Sequence, residues 1–93
     1  MGLVFTWDPR KDADNRRKHS VSFAEARTTF ADPLSMTIPD PDHSAREQRF
    51  VLTGLSSRKR LLVVAHSEQG DQIRIISARG AKRRERHDYE ENG

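Results

Sequence analysis

Gln72-Ile73-Arg74-Ile75-Ile76-Ser77-Ala78-Arg79-Gly80-Ala81-Lys82-Arg83-Arg84-Glu85-Arg86 decides how the rest of this chain is read. Its first half has the β-branched density of a strand buried on at least one face, and after Gly80 the residues turn to helix formers, most of them Lys or Arg. A strand therefore hands a row of cations directly to a helix. Such a junction suits a partner that carries phosphate, and the remaining residues are what hold the strand in a sheet.

Working outward, Leu61-Leu62-Val63-Val64-Ala65-His66 and the earlier run Phe50, Val51, Leu52 and Leu55 are two more strands. Turns at Ser56-Ser57-Arg58-Lys59 and Glu68-Gln69-Gly70-Asp71 join them to the stretch above, which predicts a three-stranded antiparallel meander followed by a basic helix over 81–91. Upstream, residues 3–7 read as a short strand. Asp8-Pro9 then opens a helix over 10–19, since the Asp side chain can accept from first-turn amides and Pro fits the first helical position. That helix is nearly all polar, and pairs such as Asp12 with Arg16 and Asp14 with Lys18 would each add about 0.2–0.5 kcal/mol.

Ser22-Phe23-Ala24-Glu25 has the spacing of a capping box and starts a second helix over 23–31. Phe23, Ala26 and Phe30 form its core face, and Asp32-Pro33 ends it. Residues 34–38 predict another short strand, and Pro39-Asp40-Pro41-Asp42-His43-Ser44 an acidic loop. The fold class is α+β: one domain over 1–93, an antiparallel sheet made of the C-terminal meander and shorter N-terminal strands, two N-terminal helices and a basic C-terminal helix.

Charged residues are 33% of the chain and hydrophobic residues also 33%, which implies a thin core and much solvated surface. The net charge of +3 is unevenly spread. Asp32, Asp40, Asp42 and Glu47 face only Arg46 over 31–48. Over 49–86, Arg49, Arg58, Lys59, Arg60, Arg74, Arg79, Lys82, Arg83, Arg84 and Arg86 stand against Glu68, Asp71 and Glu85. A basic C-terminal half points to nucleic acid; a solvated cationic surface is the plainer alternative. Cysteine is absent, which removes disulfides and thiolate metal sites. With no run near the ~20 apolar residues of a membrane span, the expectation is a cytoplasmic protein with no membrane partner.

The turn lengths suggest a register. If Leu55 faces Arg60 and Ser67 faces Gln72, then Arg49, His66, Arg60 and Arg79 share one open face around Val51, Val64 and Ile75. Phe50, Leu52, Leu61, Val63, Ile76 and Ala78 share the other, helix-covered face, with Arg74 at one end; a single bulge would exchange these assignments. The open face suits stabilisation of a phosphate, with Arg79 and Arg49 holding charge and His66, His19 or Tyr89 moving protons. Lys18, Arg60, Arg74, Lys82, Arg83 and Arg86 are the candidate RNA contacts. A packed histidine and solubilising arginines are the plainer reading of the same residues. His19, His43, His66 and His87 are scattered and no carboxylate pair has metal-ligand spacing, so neither a metal nor another cofactor is expected.

Several stretches together resemble one known family. They are Trp7-Asp8, Lys11, Asn15, Lys18-His19, Val21-Ser22-Phe23, Glu25-Ala26 and Phe30, then Arg74 through Arg79, Ala81, Glu85-Arg86 and Tyr89. Their order and spacing resemble the BrnT toxins of bacterial type II toxin–antitoxin pairs, over nearly the whole chain from Phe5 to Tyr89. The resemblance implies a RelE-like fold and metal-free cleavage of RNA that inhibits translation and growth. It also implies a DNA-binding antitoxin, BrnA, as partner, with operator DNA bound only through the complex. It marks Lys18, His19, Arg79, Glu85 and Tyr89 as motif positions. Ser20 stands where the family commonly has glycine, so the backbone there should carry a small left-handed strain. A non-catalytic nucleic-acid-binding or partner-docking module is the alternative.

Overall fold

Five strands form one mixed sheet in the computed structural model, which describes residues 2–40 and 48–92. They are β1 (Val4–Thr6), β2 (Met36–Pro39), β3 (Arg49–Leu55), β4 (Leu61–Gln69) and β5 (Gln72–Gly80), in the spatial order β1-β5-β4-β3-β2. The helices are α1 (Pro9–His19), α2 (Phe23–Thr28) and α3 (Arg83–Asn92), with a 3₁₀ turn at Thr29–Ala31 where the sequence predicts α2 to continue. Of the expected acidic loop from Pro39 to Ser44, Pro39 instead closes β2, and residues 41–44, like Arg46 and Glu47, lie outside the described residues.

The α+β class and the β3–β4–β5 meander agree with the sequence reading; the all-antiparallel sheet does not. β1 runs parallel to β5, with Phe5 beside Ile73. No hairpin joins the two, so no turn imposes an antiparallel direction on them.

The expected register is also corrected, and the turns explain why. Ser56 N donates to the Arg60 carbonyl at 2.8 Å, leaving three loop residues that end with Lys59 at φ 66. Leu55 therefore faces Leu61 and not Arg60, Phe50 faces His66, and Arg49 faces Ser67. In the second hairpin only Gly70 and Asp71 turn the chain, Gly70 at φ 62, so Gln69 faces Gln72. A bulge then follows in β5: Ile75 faces His66 and Ser77 faces Ala65, which leaves Ile76 without a partner in β4.

These shifts exchange faces, because side chains alternate with period two. Leu52, Leu62, Val64, His66, Ile73, Ile75 and Ala78 lie buried under α1, α2 and the 3₁₀ turn. With them pack Val21, Phe23 and Ala26, and Phe5, Trp7 and Phe30 close the margin. Full burial of each large side chain contributes about 1.5–3 kcal/mol. Arg79, which follows both shifts, stays on the face away from α1 and α2, beside Val63, where α3 leans on β3, and is thereby separated from the inward-turned His66.

Two close approaches fix this packing. A Cβ at Gly54 would sit 3.1 Å from the Thr29 carbonyl oxygen and 3.1 Å from Ser35 Cβ, so glycine lets the 3₁₀ turn rest on β3. α1 docks through Asn15, its buried residue, in place of an apolar stripe. Asn15 Nδ2 donates to the carbonyls of Val21 (2.8 Å) and Ala78 (2.7 Å), and its Oδ1 accepts from the Ala78 amide at 3.0 Å. One amide side chain thus satisfies β5 beyond the point where β1 stops pairing with it.

Candidate nucleic-acid interface

His19 closes α1 beside the cationic end of β5, and local chemistry puts it there. Asp8 accepts from the Arg10 amide at 2.8 Å with Pro9 in the first turn, and Ser20 ends the helix at φ 58, its amide donating to the Arg16 carbonyl at 2.9 Å. Asp12 then caps the next helix by accepting from Phe23 N at 2.9 Å, while its other oxygen lies 3.6 Å from Arg16 Nε. Asp14 pairs with Arg17, not with Lys18. Lys18 and His19 are therefore left exposed at the helix end.

The β3–β4 turn comes against this end because Glu25 holds it. Ser22 accepts from Glu25 N at 3.0 Å, which is one half of the expected capping box. The other half is absent, since the Glu25 carboxylate is buried and accepts from Ser56 Oγ at 2.7 Å and Arg60 Nε at 2.9 Å, with a second contact to Arg60 Nη2. The Arg60 guanidinium, with help from Ser56, outweighs desolvation and holds the Glu25 carboxyl below its ordinary range. Arg60 also donates to the Ser20 carbonyl at 3.0 Å, so one guanidinium ties the turn to both helices.

Between these parts lies a groove of about 310 Å³, walled by His19, Lys59, Arg60 and Arg86 over Leu61, Leu62 and Gly80. A smaller hollow of about 230 Å³ on the other side of His19 is lined by Lys11, Asp14, Lys18 and Ser77. Lys11, Lys18, Lys59 and Arg86 make no ion pair among the described residues, whereas Arg60 is neutralised by Glu25. An imidazole thus stands between cations that are unpaired among the described residues, an arrangement able to bind a phosphate and to move a proton beside it.

α3 supplies Arg86 and is clamped at both ends. Arg79 donates to Glu85 at 2.8 and 2.7 Å, and Glu85 also accepts from Lys82 N at 2.8 Å. Arg79 first, then that amide, pull the Glu85 carboxyl down to about 2. Further along, Tyr89 donates to Asp32 Oδ2 at 2.5 Å, which pushes the phenol up to about 12. Partial burial opposes ionisation of Asp32, but the bonds from Tyr89 and from the Leu55 and Leu34 amides keep its carboxyl below the usual range.

Of the sequence-predicted site residues, His19, Lys18, Arg60 and Arg86 line these grooves. The expected convergence of Arg49, His66, Arg60 and Arg79 is not found. His66 is fully buried, its ring 4.8 Å from that of Phe30 and stacked on Phe50 at 5.8 Å, because the register shift turns it inward. Its Nε2 lies 2.9 Å from Glu68 Oε2, and its Nδ1 has no partner among the described residues. Arg49 faces Ser67 on the opposite sheet face, level with exposed Arg74. Arg79 and Tyr89 are engaged with acids, and Lys82 and Arg83 are exposed at the start of α3. Lys59 and Lys11 are not among the expected site residues, although Lys59 counts among the cations of the basic half and Lys11 among the family-like positions. Among the described residues no three His, Asp or Glu side chains group as a metal site would need. No helix among them is long and apolar enough to cross a membrane.

Residues 7–85 match the family described as the ribonuclease toxin, BrnT, of type II toxin–antitoxin systems. This chain belongs to the BrnT family. A crystal structure of the Brucella abortus ribonuclease toxin, BrnT, superposes with a TM-score of 0.64 at 21% identity, covering 89% of this chain and 99% of that one. At that identity the likeness establishes a shared fold. No curated protein matches the sequence. BrnT membership implies an RNA substrate and, because type II systems pair two proteins, a protein antitoxin.

Proposed function

We propose that this BrnT-family chain is a cytoplasmic endoribonuclease that needs no metal, stops translation and growth, and is neutralised by a BrnA-like DNA-binding antitoxin. Operator DNA is bound by the toxin–antitoxin complex and not by the chain alone. The observation that carries this reading is the groove that His19, Lys59 and Arg86 line together.

In this mechanism RNA lies along the groove with its backbone against Lys11, Lys18, Lys59 and Arg86. His19 takes the proton of a ribose 2′-hydroxyl as that oxygen bonds to the adjacent phosphorus. Lys59 and Arg86 stabilise the charge on the pentavalent phosphate, and the P–O5′ bond breaks with the leaving oxygen protonated from solvent. The products are a 2′,3′-cyclic phosphate and a 5′-hydroxyl. Such a base contributes about 10²–10⁴-fold. Arg79 and Tyr89 act as positioning residues, through Glu85 and Asp32, by holding α3 and with it Arg86. His66 belongs to the core.

The test is RNA cleavage by the purified chain in excess chelator, with growth and translation followed on induced expression. Wild type should give cyclic-phosphate ends, and His19→Ala should lose about 10²-fold or more while keeping its melting temperature, since His19 is exposed. Lys59→Ala should weaken RNA binding and lower the salt slope by about one. Wild-type cleavage by His19→Ala would move the chemistry elsewhere. Tight binding without turnover by wild type would leave a nucleic-acid-binding module.

A further inference from the structure

α3 separates two grooves of opposite character. Arg86 looks onto the cationic groove, whereas Glu85, Asp88 and Glu91 overhang a hollow of about 330 Å³ floored by Met36, Ile38 and Val51. A helix that docks on a sheet normally turns its apolar side down; α3 has no buried residue and presents acids to an apolar floor. Among the described residues that floor is left open. Ile38 is 59% exposed, and it lies on β2, the edge strand of the sheet, whose only strand partner among the described residues is β3. Of the three acids, Glu85 is paired with Arg79, and Asp88 and Glu91 have no cationic partner among the described residues.

We infer that this acidic, apolar-floored groove receives a basic amphipathic segment of the antitoxin protein. The inference rests on the toxin–antitoxin reading above. Charge complementarity selects the occupant: a polyanion is repelled by Asp88 and Glu91, while a segment bearing Lys or Arg beside aliphatic residues satisfies both rim and floor. On a chain with net charge +3, this is where a cationic partner is attracted rather than repelled. Because α3 also carries Arg86, an antitoxin seated here lies next to the RNA groove without having to enter it.

The test is the affinity of the full chain for the antitoxin protein encoded beside it, measured calorimetrically at several salt concentrations. Asp88→Lys with Glu91→Lys should weaken the complex about 10- to 100-fold at low salt, the gap narrowing as salt rises. Ile38→Ala should weaken it several-fold at every salt concentration, because it removes apolar contact alone. Asp71→Lys, in the exposed β4–β5 turn, should change nothing. RNA cleavage by the free variants should stay at the wild-type level, which also shows that they fold. Unchanged affinity of the double charge reversal overturns the groove and leaves the ribonuclease and antitoxin reading intact. Failure of the wild type to bind that protein refutes the antitoxin reading and this inference with it. A dimer of the isolated chain, lost on the same substitutions, would assign the groove to self-association and overturn the inference.

Discussion

Replacing Glu25 by alanine strikes the residue that holds the β3–β4 turn against both N-terminal helices. Its carboxylate is 5% exposed and serves Ser56, Arg60 and, at 3.9 Å, Arg58. Removing one member of a buried pair costs about 3–5 kcal/mol when the survivor stays buried and charged. Here the survivor is Arg60, 38% exposed, so water recovers part of its solvation and the ion-pair loss falls to about 2 kcal/mol. Ser56 loses its acceptor as well, adding about 1 kcal/mol. Roughly 3 kcal/mol is a large share of the ~5–15 kcal/mol that holds a domain together, and at about 4–8 °C per kcal/mol it lowers the melting temperature by about 10–25 °C. Urea unfolding followed by circular dichroism measures it, with an unchanged slope expected. The converse variant is sharper: Arg60→Met alone strands a buried carboxylate, so Glu25→Leu with Arg60→Met should be the more stable of the two. In the wild type the folded-state pKa of Glu25 is lowered, so its contribution is complete above the unfolded value near 4.5 and disappears as pH falls through the folded one. Glu25→Ala should flatten that acid limb. A loss under about 1 kcal/mol, or a double variant no better than Arg60→Met, would refute the reasoning.

Three further outcomes are expected. Tyr89 is the sole tyrosine, so an absorbance titration reads it directly: its midpoint should lie near 12, and Asp32→Asn should return it toward 10. Because that pKa is raised on folding, the stability it contributes is full below pH 10 and is lost as pH rises through 12. Ser20→Gly, at φ 58, should raise stability by about 0.5–1 kcal/mol in urea melts, since only glycine adopts that backbone without strain. Gly54→Ala should cost about 1–3 kcal/mol in the same melts, because its methyl group meets the Thr29 carbonyl at 3.1 Å and backbone there cannot swing aside.

Local chemistry alone was sufficient for the ends and kinds of most elements. Asp8 and Ser22 cap helices as their side chains require, and the three C-terminal apolar runs pair in order, while the left-handed turn at Ser20 was implied by the resemblance and not by the local residues. Each of these signals lies within a few residues of its effect. The resemblance in those same short stretches also identified the family. What tertiary structure decided is which residues meet. A three-residue loop at Ser57 to Lys59 and an unpaired Ile76 each change parity, so with period two the first turns β4 and the start of β5 over and the second turns the residues after Ile76 back. Thus His66 is buried under Phe30, Arg79 is left to bind Glu85, and His19 shares a groove with Lys59, from a turn 40 positions away, and with Arg86. No periodicity within a segment encodes such a meeting. It follows from Glu25 holding Arg60 and from Asn15 holding Ala78, side-chain bonds between distant segments that exist only once the chain has folded.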